Sequence, residues 1–407
     1  MDKYEILKKY YGYKDFKEEQ NLIIDNVMNN IDTIGLLPTG FGKSLIFVTL
    51  SLMLEGISII ITPLIALMVD QVNNLKSRGV KAEYLNSTLN FNEINKVYKK
   101  MIDGNVKILY VSAERLQNEY FKRIIKNINV SLIVLDEAHT VLWSEDFRIA
   151  ISKIGDFINL LKNRPKLLAL TATATDETVN KIIKYLNLRN PKIIESNFDK
   201  KNIYYRIVKT NNKLNELIKV VSRYKDELGI IYSLTIKECN MIYDYLKNLG
   251  FKVGYYYGTL DSRLKEDMQN DFKNHKIKIM VCTNAFGMGI DIPDIRYVIE
   301  YDMPLCIEDF VQQTGRASRD GLMAEAILFF DVNDIKTINY FIDNIEIDKP
   351  KDEINKIKKS KYIKLDKMVG LCLTKGCIHK YISNYFHQNH SGKCMMCCNC
   401  KSDFLKK

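Results

Sequence analysis

A glycine-containing turn between an apolar run and a helix-like stretch constrains this 407-residue chain more than any other feature. The run Thr33–Leu37 has strand character, and the loop Leu37–Ser44 follows it directly. A loop in this setting directs backbone N–H groups at a polyphosphate on the helix N-terminus. The pattern GxxxxGK[ST] lacks its first glycine, so an ordinary strand–turn–helix connection is the alternative. The predicted nucleotide contacts in the loop are Thr39, Gly40, Gly42, Lys43, for the β- and γ-phosphates, and Ser44, for Mg²⁺.

An acidic pair follows a second strand candidate. The apolar run Ser131–Leu135 ends in Asp136 and Glu137, within the sequence Asp-Glu-Ala-His. A carboxylate such as Asp136 suits Mg²⁺ binding, and one such as Glu137 suits polarising an attacking water. The alternative is a solvated acidic strand end, which an upstream Lys-Ser loop disfavours.

A third motif, Gln312–Arg319, contains two arginines that would meet the charge of a transition state. We predict Gln312, Arg316 and Arg319 as catalytic residues beside Lys43 and the acidic pair. Such arginines contribute roughly 10³–10⁵ in rate, and surface salt bridges are the alternative. The three motifs in this order predict an ATP site closed across two lobes, as in a nucleotide-driven motor.

Composition and length fit a protein of two to three domains. The chain is 46% apolar and 27% charged, which is ordinary for globular proteins. It contains no uncharged apolar run of about 18 residues, the length of a membrane span. Its N-terminus, Met-Asp-Lys-Tyr-Glu, lacks the layout of a signal peptide. We therefore expect a cytoplasmic protein without a membrane partner.

The net charge of +11 is concentrated near the C-terminus. Residues 348–407 contain fourteen Lys and five acidic residues, a charge of +9, which leaves +2 for residues 1–347. A basic segment favours a polyanion partner through phosphate neutralisation and counterion release. The alternative is a generic solubilising surface, and metal-bound thiolates would offset part of the charge.

Short apolar runs alternate with helix-period segments, twice along the chain. This alternation predicts an α/β fold of two lobes, each with a mostly parallel sheet. We predict domains at 1–197, 198–332 and 333–407, with a polar hinge at Glu195–Asn202 and the third motif on a helix. The predicted strands are Thr33–Leu37, Ser58–Thr62, Ala82–Leu85, Lys107–Val111, Ser131–Leu135, Leu167–Thr171, Gly229–Tyr232, Val253–Tyr257, Ile277–Cys282, Tyr297–Glu300 and Ala324–Phe329.

With these and several further motifs in order, the chain resembles the RecQ DNA helicases of superfamily 2 from about Tyr11 through Cys400. The resemblance implies two RecA-like lobes of the P-loop NTPase type and a small helical zinc-binding domain. It also implies ATP-dependent unwinding of DNA with 3′ to 5′ polarity. The further motifs are Tyr11–Gln20, Thr62–Gln71, Tyr110–Leu116, Leu170–Ala174 and Thr283–Asp291.

The resemblance extends the nucleotide site beyond the phosphate loop. It implies that Gln20 pairs with the adenine edge, while Tyr13 and Lys17 enclose the ring. Lys17 stands where the family usually has Arg, which stacks more strongly. Gly289 and Asp291, in the motif Thr283–Asp291, are the implied nucleotide contacts of the second lobe.

The resemblance also implies a path for single-stranded DNA and for duplex junctions. The segment Thr140–Arg148 matches an aromatic-rich loop that senses single strands in this family, and it contains the only tryptophan. Stacking a base on such a ring contributes about 1–3 kcal/mol, and a packed core tryptophan is the alternative. The implied DNA contacts are Pro63, Arg115, Trp143, Phe147, Arg148 and Thr283.

Six of the nine cysteines lie between Cys372 and Cys400, and four of them have zinc-ligand spacing. Cys377, Cys394, Cys397 and Cys400 give C-x₁₆-C-x₂-C-x₂-C, which can surround one Zn²⁺ as a closed structural site. The RecQ family uses the same spacing. We predict that this zinc holds a helix at Lys375–Phe386. Histidine ligands, a disulfide cluster and a redox CxxC centre are the alternatives.

The leading hypothesis is therefore an ATP-dependent DNA helicase that uses ATP, Mg²⁺ and Zn²⁺ in repair, recombination or replication. A single-strand-binding protein is a further partner that the sequence does not specify. The chain ends seven residues after Cys400, so we expect a short form without winged-helix and HRDC domains. An RNA or mixed helicase and a nucleotide-switched binding protein without motor activity are the alternatives.

Overall fold

The computed structural model describes residues 1–38, 40–63, 65–142, 150–172, 176–196, 200–286, 292–345, 350–388, 390 and 392–401. The chain divides into two compact units, Met1–Asn197 and Phe198–Lys407. In the described residues each unit is built around one parallel sheet. The predicted α/β class with two parallel-sheet lobes is confirmed. No helix in the described part of the chain is both long enough and apolar enough to cross a membrane.

The first unit has a seven-stranded sheet in the order β3-β4-β2-β5-β6-β1-β7. Its strands are β1 (Thr33–Leu36), β2 (Ile57–Ile61), β3 (Ala82–Leu85), β4 (Ile108–Val111), β5 (Val130–Leu135), β6 (Lys166–Thr171) and β7 (Lys192–Glu195). Its helices are α1 (Lys3–Tyr11), α2 (Glu18–Met28), α3 (Lys43–Met53), α4 (Ile65–Ser77), α5 (Phe91–Ile102), α6 (Glu119–Ile125), α7 (Ile154–Asn159) and α8 (Asp176–Tyr185), with 3-10 turns at Glu114–Gln117 and Ala138–Leu142.

Apolar residues on both faces explain why the central strands of this sheet are buried. In β2 every residue is buried, and Ile59 and Ile60 point into two different core clusters. Helices cover both faces, as is usual for parallel sheets. The sheet therefore brings the carboxyl ends of its strands to one edge, where such folds bind ligands.

The second unit has a six-stranded sheet in the order β10-β11-β9-β12-β13-β8. Its strands are β8 (Ile203–Lys209), β9 (Leu228–Tyr232), β10 (Val253–Tyr256), β11 (Ile279–Cys282), β12 (Ile295–Glu300) and β13 (Ala324–Phe330). Its helices are α9 (Lys213–Arg223), α10 (Ile236–Asn248), α11 (Ser262–Lys273), α12 (Ile307–Thr314), α13 (Val332–Asp343), α14 (Lys351–Leu373) and α15 (Ile378–Tyr385).

The helical segment after β13 shares a hydrophobic core with one face of this sheet. Leu365 and Met368 of α14 and Ile378 of α15 belong to the same buried cluster as Ile230 of β9. Within the sheet, Gly229 lies against the ring of Tyr297, and a Cβ at Gly229 would overlap that ring at 1.9 Å. A larger residue at position 229 would therefore force the Tyr297 ring or the strand β9 to move.

Three local predictions were wrong. The third motif is not wholly helical, because α12 ends at Thr314 and Ser318 has a positive φ of 61°. The helix predicted at Lys375–Phe386 begins only at Ile378, since the Cys377 side chain caps it by accepting from the amide of Lys380. The strands β7 and β8 were not predicted, and β7 includes Glu195 from the predicted hinge.

Candidate nucleotide site and zinc cluster

The phosphate loop of the first unit lies between the carboxyl end of β1 and the start of α3. Gly40 and Gly42 have φ values of 79° and 87°, a left-handed conformation that glycine adopts without steric cost. Gly42 caps α3, and Lys43 is the first residue of the helix. The backbone thus turns so that the first amides of α3 are available to an anion. Thr39 lies outside the described residues.

Lys43 is paired with the acidic motif at the end of β5. Its Nζ lies 3.2 Å from Oε1 and 3.1 Å from Oε2 of Glu137. Both side chains are largely buried, with 11% and 19% of their surface exposed. Glu137 also has a positive φ of 49°, which is uncommon for a residue with a side chain and is typical of functional turns.

Asp136 is the more deeply buried of the two acids. Burial, and then the neighbouring charge of Glu137, raise the pKa of its carboxyl to about 7, while Lys43 opposes the rise. The Glu137 amide donates to Asp136 Oδ1 at 3.0 Å. A buried carboxylate beside a lysine and a phosphate loop is suited to binding a divalent cation, which would favour the ionised form.

His139 connects Glu137 to the end of β6, a link that the sequence did not predict. Its Nδ1 lies 3.5 Å from Oε2 of Glu137 and 3.0 Å from Oγ1 of Thr171. Thr171 is the second residue of the motif Leu170–Ala174 and is buried. These contacts connect two sequence motifs, and the Lys43–Glu137 pair adds the phosphate loop as a third. The only sequence signal was that His139 and Thr171 each belong to a motif.

The predicted adenine residues lie next to the phosphate loop. Gln20 is buried, its Nε2 donates to the carbonyl of Phe41 at 2.8 Å, and its Oε1 accepts from the amide of Lys17 at 2.9 Å. The ammonium of Lys17 lies 4.2 Å from the centre of the Phe41 ring. Tyr13 is 61% exposed. Gln20 thus links α2 to the loop, and each of its amide atoms keeps a further hydrogen-bonding position.

In the second unit the predicted catalytic residues occupy α12 and the turn after it. Gln312 lies on α12 and is half-buried, Arg316 is buried, and Arg319 is half-buried. Arg316 lies near Tyr232 and Glu300. Burial raises the pKa of both groups, and the Arg316 charge opposes that rise. Gly289 and Asp291 lie outside the described residues.

The predicted DNA contacts are only partly within the described residues. Pro63 follows β2 and Thr283 follows β11, and both are half-buried. Arg115 lies on the 3-10 turn after β4, where its Nη2 donates to the carbonyl of Asn86 at 3.2 Å. Trp143, Phe147 and Arg148 lie outside the described residues.

The four predicted zinc ligands come together at the end of α14 and the start of α15. The Sγ atoms of Cys377, Cys394, Cys397 and Cys400 all lie within 4.8 Å of one another. Backbone amides of Ile378, Lys380 and Met396 donate to three of the sulfurs at 3.3–3.4 Å. Four clustered thiols with such donors match a closed structural Zn²⁺ site, because amide donors stabilise thiolate charge.

The two remaining cysteines of this segment lie outside the cluster. Cys372 is buried in the core of the second unit, and the Cys398 thiol donates to Asn399 Oδ1 at 3.4 Å. His379 packs against Tyr205 and contacts the carbonyl of Met396 at 3.0 Å. The sulfur cluster is therefore built from the four predicted residues.

Three family models match consecutive parts of the chain. The DEAD/DEAH box helicase model matches residues 17–182. The helicase conserved C-terminal domain matches residues 212–321. The RecQ zinc-binding model matches residues 332–401, which include the cysteine cluster.

Similar proteins match nearly the whole chain. The ATP-dependent DNA helicase RecQ of Bacillus subtilis is 36% identical over 97% of this chain and 66% of its own length. A candidate ATP-dependent RNA helicase of Acanthamoeba polyphaga mimivirus is 35% identical over 97% of this chain and 71% of its own length. The chain covers 62–66% of the length of the RecQ helicases of B. subtilis, Pasteurella multocida and Haemophilus influenzae.

Solved structures share the fold. The structure of the helicase MrfA bound to DNA aligns with a TM-score of 0.70 at 16% sequence identity. The alignment covers 84% of this chain and 54% of the MrfA chain. At this identity the similarity concerns the fold alone.

Proposed function

Because this chain belongs to the RecQ family of helicases, we propose that it is an ATP-dependent DNA helicase. It would couple ATP hydrolysis to 3′ to 5′ movement along single-stranded DNA. The observation that supports this most directly is the Lys43–Glu137 pair, with Nζ 3.1 Å from Oε2, at the carboxyl ends of β1 and β5. A phosphate-binding lysine and an acid able to act on water are thereby brought into one site.

In the proposed site, Lys43 and the backbone of Thr39–Gly42 bind the phosphates of ATP. Ser44 and Asp136 would hold Mg²⁺, which neutralises phosphate charge and orients the oxygens for displacement. Glu137 would accept a proton from the attacking water. The contact with His139 would hold the Glu137 carboxylate in place. Gln20, Tyr13 and Lys17 would bind adenine.

Residues of the second unit would complete the hydrolysis machinery. Arg316 and Arg319 would stabilise the negative charge that develops on the phosphates during hydrolysis. Gln312 would stabilise the same charge by hydrogen bonding. Arginines in this role are worth roughly 10³–10⁵ in kcat. Gly289 and Asp291 are the proposed nucleotide contacts of the motif that follows β11.

DNA binding would involve both units and the basic C-terminal segment. The net charge of +9 in residues 348–407 supports contact with phosphates. Stacking of a DNA base on the aromatic-rich loop Thr140–Arg148 would couple binding of a single strand to ATP hydrolysis. The proposed DNA contacts are Pro63, Arg115, Trp143, Phe147, Arg148 and Thr283.

We divide the chain functionally into an ATP-binding lobe (1–197), a helicase C-terminal lobe (198–332) and a zinc-binding domain (333–407). We also propose a cytoplasmic location, with which a DNA substrate is compatible, and a role in repair, recombination or replication. Coating of the displaced strand makes a single-strand-binding protein the natural partner.

Strand displacement on tailed duplexes tests this function. We expect MgATP-dependent unwinding of a duplex with a 3′ single-stranded tail, and little unwinding of a 5′-tailed or blunt duplex. A forked duplex with both tails controls for the need to load at a junction. Unwinding of only the 5′-tailed duplex would contradict the polarity, and no unwinding of any substrate would contradict the helicase function.

An RNA helicase is the second candidate, because the mimivirus relative with 71% coverage is named an ATP-dependent RNA helicase. ATPase rates measured with DNA and RNA strands of one sequence distinguish the two. Stronger stimulation by DNA supports the leading proposal, whereas stronger stimulation by RNA supports the alternative.

A further inference from the structure

The turn that separates Arg316 from Arg319 has an unfavourable backbone conformation. Ser318, which lies between the two arginines, has a positive φ of 61°. Residues with a Cβ rarely adopt this conformation unless the surrounding structure enforces it. The direction in which the two guanidiniums leave the backbone therefore depends on what holds Ser318.

Asn202, immediately before β8, holds this turn with its side chain. Its Nδ2 donates to the carbonyl of Ser318 at 3.0 Å and to Ser318 Oγ at 2.5 Å. Asn202 is 116 residues away in sequence. Both donor protons of one amide are thus directed at Ser318, whose backbone is left-handed.

The backbone of Asn202 is itself fixed by the sheet. Its carbonyl accepts from the amide of Ala324 at 3.0 Å, at the start of the β8–β13 pairing. That bond does not involve the side chain, so it would survive a substitution. The side chain therefore has a separate role, which is to connect a rigid strand end to the arginine turn.

Other contacts hold Ser318 itself and the start of the turn. The Ser318 amide donates to the carbonyl of Ile295 at 3.0 Å, and Lys200 Nζ donates to the carbonyl of Gly315 at 2.6 Å. The Ser318 hydroxyl also donates to the carbonyl of Leu322. The Asn202 side chain acts together with these contacts: it donates to the Ser318 carbonyl, which also accepts from the amide of Gly321 at 3.2 Å.

We propose that Asn202 is a positioning residue for ATP hydrolysis, which fixes the left-handed turn at Ser318 so that Arg316 and Arg319 are presented together. This inference rests on the proposed function of the two arginines. Asn202 acts through the turn and not on the nucleotide. Its loss should therefore lower the rate of the chemical step and leave ATP binding nearly unchanged.

The test compares steady-state ATP hydrolysis, with saturating single-stranded DNA, in four proteins. These are the wild type, Asn202→Ala, Asn202→Asp, which keeps the volume but replaces the donor by an acceptor, and Lys201→Ala. Lys201 is the exposed neighbouring residue and serves as the matched control. Thermal unfolding and zinc content are measured for each.

We expect both Asn202 variants to lower kcat about 10- to 100-fold, the scale of a small misplacement of catalytic groups. The KM for ATP should stay within about twofold of the wild type, because binding is not affected. Lys201→Ala should retain the wild-type kcat. If both Asn202 variants match Lys201→Ala in kcat, the inference is wrong.

A second substitution separates positioning from general damage. Ser318→Gly allows the left-handed turn without strain, so in the Asn202→Ala background it should restore much of the lost kcat. No recovery would overturn the role assigned to the turn, even if Asn202→Ala alone is slow. An inactive wild type would contradict the proposed function, whereas an active wild type with insensitive Asn202 variants would contradict only this inference.

Discussion

The ammonium of Lys43 lies 3.1 Å from Oε2 of Glu137, although 94 residues separate the two in sequence. In the proposed mechanism, a bound phosphate and the Glu137 carboxylate are alternative partners of this ammonium. Nucleotide binding would therefore release the carboxylate to act on water. The Lys43–Glu137 pair thus links occupancy of the site to activation of the proton acceptor.

Substitution Lys43→Ala should abolish ATP turnover, because the β- and γ-phosphates lose their cation and Glu137 loses its partner. We expect at least a 10²-fold fall in kcat, roughly the loss from one electrostatic contact of this type. DNA affinity should stay near that of the wild type. Coupled-enzyme ATPase assays and fluorescence anisotropy measure the two. The exposed Lys99→Ala is the control, and near-normal turnover by Lys43→Ala would refute the assigned site.

Substitution Trp143→Ala should uncouple ATPase activity from single-stranded DNA. Loss of base stacking removes about 1–3 kcal/mol of binding free energy from the contact that couples the strand to hydrolysis. The basal rate without DNA should persist, while stimulation by DNA falls. Phe91→Ala, at an aromatic residue that is 76% exposed on α5, controls for loss of a surface ring. Undiminished stimulation in Trp143→Ala would mean that this residue has only a structural role.

The protein should contain one zinc ion per chain. Two adjacent cysteines supply a matched pair of variants. Cys397 belongs to the sulfur cluster, whereas Cys398 lies outside it and donates a hydrogen bond to Asn399. Cys397→Ser should lose zinc and unfold at lower temperature, because metal binding contributes to folding of small zinc domains. Cys398→Ser should keep both properties. Atomic absorption and thermal unfolding measure these, and zinc-free wild-type protein from a fresh preparation would refute the site.

Magnesium binding should weaken in acid. Burial raises the pKa of Asp136 from 3.8 to about 7, so the folded protein keeps this proton up to neutral pH. Below pH 7 the metal must displace the proton, and its affinity should fall about tenfold per pH unit.

Titration of the ATP complex with Mn²⁺ at pH 6, 7 and 8, followed by electron paramagnetic resonance, measures this dependence. The same titration of Asp136→Asn accounts for protons taken up by the nucleotide itself. Equal wild-type affinities at pH 6 and pH 8 would argue against Asp136 as the metal ligand.

The sequence predicted the central strands of both sheets but missed one edge strand in each, β7 and β8. Strands such as β2, with five buried residues in Ile57–Ile61, carry an apolar pattern that is visible locally. β7 is short and largely exposed, and β8 mixes buried residues with Arg206 and Lys209. These two edge strands therefore resemble polar linkers in sequence, whereas the edge strands β3 and β10 were predicted.

The candidate site was predictable as a set of motifs but not as a set of contacts. The spacing of the four cysteines was a local signal, and so was the Lys-Ser loop. The left-handed turn at Ser318, which follows the end of α12, contacts the side chain of Asn202, 116 residues away in sequence and immediately before β8. No local pattern reports such a contact, because its two partners meet only in the folded unit.

The segment Cys394–Cys400 also covers part of β8, which pairs with only one other strand in the part of the chain that the structure describes. β8 is the last strand of its sheet, and there the Tyr205 amide donates to the carbonyl of Met396 while its carbonyl accepts from the amide of Cys398. Uncovered strands of this kind pair readily with other chains. A chain that loses its metal would therefore expose a template for self-association, and aggregation would accompany the loss of function.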